Sequence, residues 1–121
     1  MWVYRLSIAA QQDVIDILAW TQENFGEAAR RRYGTLLVAA MRDISARPDR
    51  AGSAERPELG TGVRSWHLRL SRERGRTETG IVQQPRHFLI YRIENDMVVI
   101  GRVLHDVMDL AQHLDSRRSW S

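Results

Sequence analysis

The chain has 121 residues, 43% of them hydrophobic and 27% charged, with no cysteine and a formal net charge of +3. That length and balance describe one domain with an ordinary core, and they exclude a disulfide framework, a thiol nucleophile and a cysteine-based metal site. No apolar run approaches the roughly 20 residues of a membrane span, and the start, Met1-Trp2-Val3-Tyr4-Arg5, lacks the form of a signal peptide, so a cytoplasmic protein is expected.

Trp2 to Leu6 alternates, with Trp2, Tyr4 and Leu6 on one face, and predicts a first strand. Ser7 reads as the N-cap of a helix over about Ile8–Asn24, with an incomplete capping box because Ala10 stands at the Glu/Gln position. Gly26 sits where a C-cap glycine takes positive φ. A second helix carries the stripe Ala29, Tyr33, Leu36, Leu37, Ala40, Met41 and Ile44, and Pro48 ends it. The short link makes the two an antiparallel hairpin. Gly34, costly inside a helix, is expected to allow close packing on the first helix. Arg30-Arg31-Arg32 reads as a solvated face balanced by Glu23 and Glu27.

A polar loop, 49–62, precedes a strand predicted over Arg64–Leu70. Ser71–Gln84 is polar and charged, and reads as a mobile loop. His87–Ile93 is apolar on both faces, as in a central strand covered on both sides. Asn95-Asp96 makes a tight hairpin turn into a strand over Met97–Leu104. Asp106 is expected to cap a short helix through Leu114, and 115–121 to form a flexible tail beyond a single domain, 1–114. The order β-α-α-β-β-β with a short C-terminal helix predicts an α+β fold, a helical hairpin packed on a mostly antiparallel sheet.

Charge is distributed unevenly. Residues 1–63 hold 8 Arg and 8 acids, residues 64–92 hold 7 Arg and 2 acids, and residues 93–121 hold 3 Arg and 5 acids; all 18 basic residues are Arg. His67, His87, His105 and His113 have no zinc-site spacing, and Asp109 and His113 at i, i+4 lack a third ligand. No phosphate-binding loop, Ser-His-Asp signature or dinucleotide fingerprint is present, and no metal or cofactor is expected. Arg64 reads as an arginine at the core edge, paired to an acid with its stem on Trp66. His105, between Leu104 and Val107, reads as a core or capping histidine oriented by Asp106 or Asp109.

Several segments carry a family likeness: Leu6-Ser7, Asp13, Ile17, Asn24-Phe25-Gly26, Gly62-Val63-Arg64-Ser65-Trp66, Phe88-Leu89-Ile90-Tyr91-Arg92, Arg102-Val103-Leu104-His105, Met108-Asp109-Leu110 and His113-Leu114. In order and spacing the chain resembles the ParE toxins of the RelE/ParE superfamily, the toxic halves of type II toxin–antitoxin modules, some of which stabilise plasmids. Two departures stand out: the long segment Ser71–Gln84, and Gly101 where a β-branched residue is usual.

The resemblance implies neutralisation by a ParD-like antitoxin and DNA gyrase as target, with no sequence-specific nucleic-acid contact and no membrane association. Antitoxin contacts are expected at Trp2, Tyr4, Arg30 and Tyr33. Target contacts are expected at Arg72, Arg74 and Arg76, in the basic segment. The catalytic alternative is a ribosome-dependent mRNA endonuclease of the same fold. There Arg64, Arg92 and Arg102 would hold the phosphate and Tyr91 or His105 would move the proton. A third alternative is a non-toxic antitoxin-binding module.

Overall fold

The computed structural model describes residues 3–115 and 118–121. The fold is α+β. Strand β1 (Val3–Leu6) leads into helices α1 (Ile8–Phe25) and α2 (Glu27–Ala46); β2 (Ala54–Glu55), β3 (Arg64–His67), β4 (His87–Glu94), β5 (Met97–His105) and a short α3 (Leu110–His113) follow. The five strands lie in the order β1-β5-β4-β3-β2, with β1 parallel to β5 and all other pairs antiparallel. β2 is an addition to the expected order, two residues of the 49–62 loop paired to Ser65 and Arg64.

The local rules act where the sequence places them. The Ser7 hydroxyl accepts the Ala10 amide at 3.0 Å, capping α1. Gly26 at φ +91° turns the chain directly from α1 into α2, a conformation costly for any side chain. Asn95 and Asp96 both adopt positive φ, as a two-residue hairpin turn of the right twist requires. Gly34 has another explanation than the close packing expected of it: a Cβ there would meet only Leu18 methyls at 3.9 Å, ordinary contact.

β4 is covered on both faces. Leu89 and Tyr91 point to the helical hairpin, joining Leu36, Leu37, Ala40, Met41 and Ile44 of α2 and Val98, Ile100 and Val103 of β5. Ile90 points the other way, with Val63, Val99, Leu104 and Trp120. On β5 the inward residues are even-numbered before Gly101 and odd-numbered after it. The register explains this: Tyr91 pairs with Ile100 but Ile90 pairs with Arg102, so Gly101 is the extra residue of a β-bulge.

Helix α1 seals that bulge. β1 leaves the sheet after Leu6, and the β5 groups beyond its reach are taken by side chains instead. The Ser7 hydroxyl donates to Gly101 O at 2.7 Å, and Asp13 accepts the Val103 amide at 2.9 Å. Arg102 closes a bidentate pair on Asp13 at 2.7 and 2.9 Å.

Three expectations are corrected. The strand expected to Leu70 ends at His67, and Leu68–Gly75 is a 3₁₀ segment lying on α2. Its contact is intimate, since a Cβ on Gly75 would stand 2.8 Å from Leu36 Cα. Ser71–Gln84 therefore begins as packed structure, not mobile loop. Second, α3 is capped by Asp109, which accepts the Ala111 amide, while Asp106 faces His67. Third, Ser119 and Trp120 are buried where a flexible tail is expected. Trp120 lies over the bulge, within 2.7 Å of where a Gly101 Cβ would be. The Arg92 guanidinium stands 4.3 Å from its ring centroid. Arg5 donates to the Trp120 carbonyl at 3.0 Å. Gly101 departs from the family pattern because a branched side chain would collide with this indole.

Asp13→Ala should cost about 3 kcal/mol, because it strands both the Arg102 charge and the Val103 amide. Urea unfolding followed by circular dichroism measures this; a loss below about 1 kcal/mol would show that the bulge holds without α1.

Candidate functional site

The five residues of the catalytic alternative are not gathered into one cleft. Tyr91 is fully buried, its hydroxyl donating to Pro48 O at 2.6 Å and meeting the Ser53 hydroxyl at 2.5 Å. Burial also raises its pKa. Arg64 donates to Ser53 at 2.7 Å and lies 3.5 Å from Glu55, the acid-paired arginine expected of it. Arg92 binds Glu94 and stacks on Trp120, and Arg102 is held by Asp13. The hydrogen bond to Asp13 raises the Arg102 pKa and outweighs the cost of burial. Each guanidinium is thus committed to a carboxylate of its own chain, and only Arg64 and Tyr91 share a partner.

The three arginines of the basic segment are not equivalent. Arg74 donates to Asp43 at 2.7 Å. Asp43 is itself buried, and also accepts from the Ser71 hydroxyl at 2.6 Å, which in turn accepts the Trp66 indole N–H at 2.9 Å. This network fastens the 3₁₀ segment to α2. Asp43 reads as an outward position by helical spacing; its inward role is visible only once Ser71 and Arg74 are folded against it. Arg72 donates to Gln83 O at 3.1 Å, and Arg76 pairs with Glu73 at 3.0 Å on the surface.

Of the expected antitoxin contacts, Trp2 lies outside the described residues. Tyr4 is half-buried on β1 and Arg30 is exposed on α2. Tyr33 faces inward, only 8% exposed. Its hydroxyl meets His87 Nδ1 at 2.6 Å and accepts the Arg86 amide at 3.1 Å. The amide donates to the hydroxyl oxygen, and the bond to His87 Nδ1 runs in the direction that the imidazole tautomer sets. Burial pushes Tyr33 up to about 12.

Around this pair lies a cluster that periodicity does not reveal. His67, His87 and His105 come from three adjacent strands, His87 opposite His105 and their rings 5.2 Å apart, edge to face. His67 Nε2 donates to Asp106 at 3.0 Å while its Nδ1 accepts the Arg69 amide at 3.1 Å, fixing one neutral tautomer. Burial lowers the pKa of His67, against the pull of Asp106, and lowers His87 to about 4 with help from the His105 charge. Burial alone would raise Asp106, but its bond from His67 and the nearby Arg86 and His105 hold it below the ordinary carboxylate value. No group of three or more His, Asp or Glu among the described residues has metal-binding geometry. The surface signal lies elsewhere, on α1: Ile8, Ile15, Trp20 and Phe25 are all more than half exposed, with Trp20 and Phe25 edge to face at 5.7 Å.

A family model described as the ParE toxin of type II toxin–antitoxin system, parDE, matches residues 4–110. The chain belongs to the ParE toxin family. Among solved structures, the chromosomal ParDE toxin–antitoxin system from P. aeruginosa is similar over 87% of this chain and 96% of that one, with a TM-score of 0.62 and 15% identity, a likeness of fold. The RelBE2 toxin–antitoxin complex from Mycobacterium tuberculosis aligns over 86% of this chain and 96% of that one at 23% identity, with a TM-score of 0.43. No curated protein matches the sequence. The matched region ends at the first residue of α3, and Trp120 lies beyond it.

Two outcomes follow from this geometry. Arg74→Glu should destabilise by about 1–2 kcal/mol, because it sets a like charge against buried Asp43. Arg76→Glu should stay within about 0.5 kcal/mol. Equal losses in denaturant melts would contradict the Asp43 network. For pH, His87 binds its proton less readily folded than unfolded. Its stabilising contribution is therefore complete above about pH 6.5 and is lost progressively from 6.5 toward 4, on the order of 3 kcal/mol at the lower end. His87→Gln, neutral throughout, should flatten the stability profile in that window. An unchanged slope would assign the acid loss to other groups.

Proposed function

We propose that this ParE-family chain is the toxin of a type II module that poisons by binding, with DNA gyrase as its target and a ParD-like antitoxin as its silencer, both in the cytoplasm. The gyrase assignment and the cytoplasmic site rest on the family resemblance. Binding rather than catalysis is supported by the commitment of Arg64, Arg92 and Arg102 to carboxylates of their own chain, which leaves no convergent set of cations for a scissile phosphate. No helix among the described residues is long and apolar enough to cross a membrane.

The observation that carries the antitoxin reading is the outward face of α1 beside an open sheet edge. Among the described residues β1 pairs only with β5, so its other side can accept an added strand. Next to it, α1 presents Ile8, Ile15, Trp20 and Phe25 to solvent. An antitoxin segment that folds on binding needs such apolar anchors to outweigh its ordering cost. Tyr4 on β1 and Arg30 on α2 are accessible to the same partner, whereas Tyr33 is buried and is not proposed as a direct contact.

Two measurements test the proposal. Co-expression with a ParD-like partner should give a stable complex. Trp20→Ala, which removes an exposed ring, should weaken it by about 2 kcal/mol while leaving the melting temperature in place. Purified protein should inhibit gyrase supercoiling at concentrations comparable to the enzyme. Cutting of ribosome-bound mRNA by sub-stoichiometric protein would overturn the binding mechanism.

A further inference from the structure

We propose that His105 is a proton-operated switch for the turn joining β5 to α3, exchanging a hydrogen bond from the Val107 amide for one to the Asp106 carboxylate. As it stands, the ring is an acceptor: Val107 N donates to His105 Nδ1 at 3.3 Å. The same nitrogen lies 3.4 Å from Asp106 Oδ1. That oxygen is buried and has no hydrogen-bond partner, although the other oxygen of its carboxylate is bound by His67. Arg86 pairs with it electrostatically at 3.5 Å but gives it no hydrogen bond, and a buried acceptor short of a hydrogen bond is a standing cost. Protonation of Nδ1 removes the acceptor that holds Val107 and creates a donor beside the oxygen that lacks one. Both changes favour the same rearrangement.

The groups facing His105 come from every element around it. His87 of β4 presents its ring at 5.2 Å, held neutral chiefly by burial, with the Tyr33 hydroxyl of α2 at its Nδ1. Arg86, before β4, stands 3.5 Å from Asp106 Oδ1, and His67 of β3 occupies Oδ2. Arg69 adds positive charge near His67. Next to the ring, Asp106 supplies the negative charge and Arg86 the positive charge nearest that carboxylate. Because His67 and His87 are held neutral, they add no competing charge near neutrality. Among the three rings, His105 alone has both an amide to release and an unsatisfied carboxylate oxygen to gain.

The turn is a suitable effector. Val107 is 74% exposed and Met108 43% exposed, so little packing opposes their movement. Met108, Asp109 and Leu110 also line a cleft of about 420 Å³ with Arg56, Leu59 and Phe88. Releasing the Val107 amide loosens one wall of that cleft while Asp106 stays fixed to the sheet through its amide bond to Arg86 O. The cleft would change shape with pH and the sheet would not.

Nuclear magnetic resonance on the intact chain tests this directly. Titrated from pH 8 to 5, the Val107 amide should shift with the same midpoint as the His105 ring protons, and its hydrogen exchange should accelerate on acidification. In Asp106→Asn, which removes the carboxylate that the protonated ring would gain, the Val107 step should shrink markedly. His105→Gln, which cannot titrate, should abolish the Val107 step and serves if Asp106→Asn fails to fold. A Val107 amide that stays constant while the His105 ring protons shift would overturn the switch. So would a step that survives in His105→Gln, or one of full size in folded Asp106→Asn.

Discussion

The carboxylate of Asp13 holds the centre of this molecule in register. It accepts the Val103 amide and the Nε and Nη2 of Arg102 at the point where β5 carries an extra residue and β1 has already left the sheet. A bulge in an interior strand leaves backbone groups without ladder partners, and buried backbone groups must be paired. Here α1 supplies the pairing with one hydroxyl and one carboxylate. The bulge reverses the facing of every later β5 residue. Val103 joins the core under α2, Leu104 the opposite face, and His105 comes to lie beside His87 and Tyr33. Without that one-residue slip the histidine cluster would not assemble.

Much of the architecture was legible because it rests on local chemistry. The Ser7 cap, the Gly26 turn and the positive φ pair at Asn95 and Asp96 follow from side-chain and backbone preferences that act within four residues. The two-faced burial of β4 follows from its unbroken apolar run. What escaped was set by distant partners. Leu68–Gly75 has the composition of a loop, yet Ser71 and Gly75 are buried against α2 because Asp43 and Leu36 lie opposite them. The tail has no periodicity at all, and a single indole fixes it over Gly101. Gly101 was visible as a departure from the family pattern, but its reason lay nineteen residues downstream in Trp120.

The candidate sites show the same division. Arginines were legible as charges and not as partners. Arg64, Arg74 and Arg92 each prove to be tied to an acid of the same chain, so the basic excess of residues 64–92 overstates the charge free for a partner; Arg102, beyond that segment, is likewise tied to Asp13. Tyr33 was legible as part of the α2 stripe and is core, with its hydroxyl spent on His87. The face of α1 is the converse. Phe25 falls by spacing on the inward stripe of α1 with Ala10, Val14, Ile17, Leu18 and Thr21, but it is exposed because it ends the helix beyond the core, while Ala10 and Thr21 take the buried side.

The bond from Asp13 to Arg102 spans 89 residues of sequence. β1 has a single neighbour, and that neighbour is the last strand of the sheet. On the ribosome the helical hairpin therefore emerges long before anything can pair with β1 or occupy the Asp13 carboxylate. The sheet closes around its middle only when nearly the whole chain has been made, the kind of non-local closure that slows folding. During that interval the open edge of β1 and the apolar face of α1 are already exposed. Any partner that bound those two surfaces would meet them on the nascent chain before its fold is complete.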